Sequence, residues 1–148
     1  MREIKFRGKQ VDNGEFAYGA YFDNGVKTYI ITVDDNDSND EEDFTLNEVI
    51  PESVGQFTGL RDSKRTEEYP DGQEIYEGDI VHCKMISANR THYLDDYIAT
   101  VEDDICNPCF ALKQANGNVE YDFIKCGLME LEVIGNIHSN PSLLEVQP

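Results

Sequence analysis

Short runs of alternating apolar and polar residues, cut by turn signals, leave this chain little choice but a β fold. Asp12-Asn13-Gly14, Asp23-Asn24-Gly25, Asp71-Gly72 and Asn116-Gly117 each offer the positive φ that tight hairpin turns require. Between them Ile4 and Phe6 alternate with Lys5, Arg7 and Lys9, and Phe16, Tyr18 and Phe22 share one face. Val119, Tyr121 and Phe123 alternate with Glu120 and Asp122, as Leu131 and Val133 do with Glu130 and Glu132. A period of two marks antiparallel strands with one face on a core. The pattern predicts strands near residues 3–9, 15–22, 26–33, 54–58, 79–87, 97–103, 109–114, 118–123 and 128–135. No segment sustains three helical turns. A short helix is expected where Asn140 can cap and Pro141 can take the first helical position, and a second at 47–50, cut by Pro51.

The fold class expected is therefore mainly β, a β-rich α+β chain. With 148 residues it fits one domain, or two small subdomains that share a core. Repeated hairpins favour small barrels, because closure removes exposed edges. The polar, turn-rich stretch 61–72 suggests a division near residues 60–75, into subdomains of about 1–65 and 66–148.

Charge narrows the partners. Thirty acidic against twelve basic residues give a net charge of −18, and the run DDNDSNDEED (34–43) holds seven carboxylates and no base. Nucleic acid is not expected as a direct ligand, since phosphate binding draws on Lys and Arg. Anionic lipid is repelled in the same way. What this balance favours is a basic protein partner, or no charged partner at all. No run of about 18 apolar residues is present, and the alternating start reads as a strand rather than a signal peptide, so a cytoplasmic protein is expected.

Four cysteines carry the most chemical promise. Cys106-Asn107-Pro108-Cys109 has the spacing of a zinc knuckle, and Cys83 with His82 can supply further ligands. A paired second knuckle is missing, however, and Cys83 shares its strand face with Val81 and Met85. Free thiols in a reducing compartment, with no metal or cofactor, are the expectation. The acidic run does not make a calcium loop. With Asp35 first, Asp40 stands where glycine is needed and Leu46 where a bidentate Glu is needed. No HExxH, nucleophile elbow or glycine-rich phosphate loop occurs, so no catalytic residue is assigned. The tyrosines and phenylalanines are expected in the core rather than as a stacking platform, which would need a basic groove.

Three blocks resemble the YopX family, small proteins encoded by bacteriophages and prophages. They are the opening MREIKFRGK, the central VGQFTGLRD (54–62) with EIYEGDIV (74–81), and the closing VIGNIHSNPSLLE (133–145). The resemblance implies a single domain over 1–148, built as two intertwined β-rich subdomains, the C-terminal one similar to an SH3-like barrel. It implies a protein of the host bacterial cell that assembles with itself, and it brings no catalytic residue with it. Gly55, Gly59, Tyr76, Gly78, Gly135 and Pro141 are expected to serve folding. A binding or assembly module follows as the functional expectation, with an acidic decoy for a DNA-binding host protein as the alternative and a metal-dependent enzyme last.

Overall fold

The computed structural model describes residues 3–34, 43–86, 89, 93–103, 110–116, 119–120 and 129–144. It is mainly β, and all the described strand pairings are antiparallel. Strand order is β4-β3-β2-β1-β5-β6 in one sheet and β10-β9-β8-β7-β11 in the other. The chain divides into two compact units, Met1–Phe57 and Thr58–Pro148. The break falls inside strand β5 (Gly55–Arg61) rather than in the turn-rich stretch that follows it.

The first unit is a meander of β1 (Phe6–Lys9), β2 (Phe16–Asp23), β3 (Thr28–Asp34) and β4 (Asp43–Val49). Its turns form as their residues dictate. Asn13 Oδ1 accepts the Glu15 N–H at 2.9 Å, and Asn24 Oδ1 accepts those of Val26 and Lys27 at 2.9 and 2.7 Å. Both are side-chain caps that Asn supplies and most residues cannot. Ala17, Ile30 and Val49 form the buried cluster, with Phe6 and Val54 packed on it. Beyond β4, a 3-10 turn (Pro51–Ser53) carries the chain to β5, which pairs with β1.

The segment 47–50, expected as a helix, is the end of β4 instead. Its backbone is claimed by β3, in an unbroken register from Thr28↔Val49 to Asp34↔Asp43. Cross-strand pairing outweighs a weak local helical preference.

In the second unit β6 (Glu74–Tyr76), β7 (Asp79–Ile86), β8 (Tyr93–Asp103), β9 (Phe110–Gln114) and β10 (Val119–Glu120) precede β11 (Met129–Asn136), which returns beside β7. Ile75, Val81, Cys83, Tyr97, Ala99, Val101, Phe110, Leu112 and Leu131 form its core. Among the described residues neither sheet closes into the barrel that the hairpin pattern suggested.

Of the residues expected to serve folding, Tyr76, Gly78, Gly135 and Pro141 have visible roles. Gly78 has φ of 90°, a conformation that costs other residues about 1–2 kcal/mol. Its N–H donates to Val101 at 2.8 Å, and its carbonyl accepts from Ile137 at 2.9 Å. Beside it the buried Asp79 accepts the Tyr76 N–H at 2.7 Å. The 3-10 turn Pro141–Leu144 lies so close to Gly135 that a Cβ there would sit 2.9 Å from Leu143 Cδ1. No helix among the described residues is long and apolar enough to cross a membrane.

Candidate interaction surface

Registers define the two faces of the β2–β3–β4 sheet. Residues directly opposite one another lie on the same face. Ala20, Ile31 and Leu46 stand in one row, and Phe22, Tyr29 and Glu48 in the next. Val33 and Phe44 form a further row, and Tyr18 extends the face along β2. The opposite face holds Ala17, Ile30 and Val49, which make the core.

The apolar face that includes Phe22, Val33, Phe44 and Leu46 is not the buried one. Phe44 is 65% exposed, Leu46 60% and Val33 53%, whereas Ile30 on the other face is at 0%. Tyr18 and Phe22 are each nearly half exposed, and the Phe22 and Tyr29 rings stack with centroids 6.3 Å apart. At the β1 end of the same face Arg7 lies over the Phe16 ring, 4.6 Å from its centroid. This corrects the expectation that the aromatic residues are core. Phe57, Tyr76, Tyr97 and Phe110 are buried, but Tyr18, Tyr21, Phe22, Phe44 and Tyr69 are exposed. Single exposed apolar residues need no explanation, but here several share one face.

The sheet also curls. Gln10, just past β1, makes an antiparallel bridge with Val49 at the end of β4. There the Val11 N–H donates to Glu48 at 3.0 Å, and the Ile50 N–H to Lys9 at 2.9 Å. The outer edge of β4 is taken up at that end only. Along residues 43–47 no described backbone pairs with it.

A polar groove of about 280 Å³ lies on the second unit, lined by Ser63, Lys64, His82, Lys84, Glu130, Leu131 and Glu132. Two of its charges meet across it, and its histidine meets an aspartate beside it. Lys64 Nζ meets Glu132 Oε1 at 2.8 Å, a hydrogen bond that holds the ammonium above its ordinary pKa. His82 Nε2 is in contact with Asp96 Oδ1. Ser63 Oγ accepts the Leu131 N–H at 3.0 Å, which makes that hydroxyl part of the backbone pairing.

Of the zinc candidates, Cys106 and Cys109 lie outside the described residues. Cys83 and His82 are neighbours on β7 and point to opposite faces, Cys83 into the core and His82 toward Asp96. One ion cannot bridge the two faces of a strand. Among the described residues no group of three or more His, Cys, Asp or Glu is placed to hold a metal. Most of the acidic run 34–43 also lies outside them.

Sequence reasoning missed Phe44, Leu46 and Val33 as surface residues. Phe44 and Leu46 do alternate with Thr45 and Asn47, a readable signal beside the more conspicuous acidic run. No curated protein matches the chain. A protein-family model described as YopX protein matches residues 5–145.

Proposed function

The chain belongs to the YopX family, and from that premise we propose that it works without catalysis, as a binding and assembly module. Its contact surface is the apolar face of β2, β3 and β4, and its first partner is another copy of itself. The single observation that carries this reading is the set of exposed apolar residues Phe22, Val33, Phe44 and Leu46 on one sheet face. A set of that kind loses unfavourable contact with water when covered, at about 25 cal/mol per Å² of apolar surface. The paired charges of the polar groove favour no reaction. We read the second unit as SH3-like, on the resemblance and on the meander of β7, β8 and β9. We place the protein in the cytoplasm of a bacterium that carries the phage.

Sedimentation velocity over micromolar concentrations tests the reading. The native chain is expected as an oligomer, and the double variant Phe22→Lys/Val33→Lys as a smaller species with unchanged circular dichroism. A native chain that stays monomeric throughout defeats it.

The net charge of −18 supports a second reading, a decoy for a basic or DNA-binding host protein. Competition with DNA for such proteins at low salt, lost at high salt, is its signature.

A further inference from the structure

Unpaired along 43–47 among the described residues, the edge of β4 has a definite hydrogen-bonding direction. Glu48 directs its carbonyl and Ile50 its N–H away from β3, toward Val11 and Lys9. In a strand the outward-facing residues alternate, and the β3–β4 register has no shift. Phe44 and Leu46 therefore also present their N–H and C=O groups outward, while Asp43, Thr45 and Asn47 turn theirs toward β3. Apart from Asp43 at its start, the edge carries no charge, proline or bulge along 43–47, the devices that ordinarily keep an edge from pairing.

We infer that β4 pairs antiparallel with β4 of a second copy, about a two-fold axis at Thr45, with Phe44 and Leu46 exchanging backbone hydrogen bonds across it. The inference rests on the assembly reading above and adds to its apolar face a second contact, along the edge. Thr45 is the midpoint of the unpaired stretch, and this register lets every outward group on Phe44 and Leu46 find a partner. Each Phe44 side chain then faces a Leu46 of the second copy on the apolar face, a favourable cross-strand pair. Two such sheets joined edge to edge present one apolar face of doubled width.

Charge selects the direction. The acidic run enters β4 at Asp43. Parallel pairing would set the two Asp43 residues about 4.8 Å apart. Antiparallel pairing places Asp43 opposite Asn47 of the second copy and moves the two carboxylates to opposite ends of the contact. Four residues of strand separate them by roughly 14 Å, beyond the screening length of about 8 Å at physiological salt. The edge covers less than the roughly 800 Å² per partner of a standard interface, so this contact is expected to form in a concentration-dependent way.

Three variants test it. In the two-fold register Thr45 meets itself as a non-hydrogen-bonded pair, with Cα atoms about 4.5 Å apart, within disulfide reach. Thr45→Cys is expected to give a covalent dimer on mild oxidation, with the 45–45 peptide found by mass spectrometry, whereas Asn47→Cys gives no 47–47 link. Leu46→Pro removes one outward donor from each copy and is tolerated at an edge. It should weaken dimerisation roughly tenfold or more, with circular dichroism unchanged. If an oligomer forms but Leu46→Pro leaves it intact and no 45–45 link appears, the edge contact is wrong and the assembly reading stands. If the native chain and Thr45→Cys both remain monomeric, both are wrong.

Discussion

Beside β11, the corner at Asp62 and Ser63 acts as an extra strand. The Ser63 N–H donates to Leu131 at 2.7 Å, its hydroxyl accepts the Leu131 N–H at 3.0 Å, and Asp62 Oδ2 accepts the Val133 N–H at 3.0 Å. Along residues 43–47 of β4 no described segment does the same. The two units differ in depth as well. Among the described residues the second buries nine in its cluster and the first three, while the first exposes several large apolar side chains on one face. The first unit, among the described residues, leaves both an edge and an apolar face uncovered.

The largest expected effect tests what covers the β11 edge. Asp62 is buried and accepts two backbone N–H groups, from Gln73 at 2.9 Å and Val133 at 3.0 Å. Asp62→Ala leaves both without an acceptor, at a cost of about 4 kcal/mol. Chemical denaturation should show it, with Asp62→Asn restoring part. A loss under about 1 kcal/mol would mean that the corner covers the edge without supporting it.

Core truncations compare the units directly. Leu112→Ala in the second should cost about 4 kcal/mol, and Ile30→Ala in the first about 2, because a thin core collapses more readily around the vacancy. Native-state hydrogen exchange reads each unit separately, and amides of the first unit should open earlier. Equal losses would erase the contrast. A smaller effect is expected at Gly135, where an added methyl meets Asn140 and Leu143; Gly135→Ala should cost roughly 1–2 kcal/mol in thermal unfolding.

The smallest effect concerns the turn of the first unit. The Gly25 N–H, 2.7 Å from Asp23 Oδ1, and the Thr28 hydroxyl, 3.2 Å from Oδ2, hold the Asp23 carboxyl below its ordinary pKa. A lowered folded value means that this contribution is complete above the unfolded pKa. It fades as pH falls through the folded one. Carboxyl titration by NMR should show Asp23 ionised at a pH where ordinary aspartates are half protonated. In Thr28→Val its titration should move up.

Alternation and Asx-Gly turns made most strands legible, because both are local properties of the backbone. β4 was not, since 47–50 before Pro51 reads as a helical turn until β3 is placed beside it. The exposed apolar face was half legible. The period of two sorted Phe16, Tyr18 and Phe22 onto one face, but β3 carries apolar residues on both, with Ile30 on one and Ile31 on the other. Which face is covered depends on what packs there, a tertiary fact. The central family block was read as structural, and in the fold its residues hold turns and edges: Thr58 donates to the Ile75 carbonyl at 2.8 Å, and Asp79 caps Tyr76.

The anchoring of Asp62 also decides where the polypeptide can be cut. Between Ser63 and Asp71 every residue is exposed, and Lys64 and Arg65 are trypsin targets there. Yet the stretch is fastened at both ends: Arg65 Nη1 donates to the Asp62 carbonyl at 2.7 Å, Arg61 Nη1 to the Gly72 carbonyl at 3.1 Å, and Gln73 to the Asp62 carboxylate. A nick at Glu67 would therefore yield two fragments that stay together, and an epitope or a fused domain inserted there would ride on the protein without prising it apart.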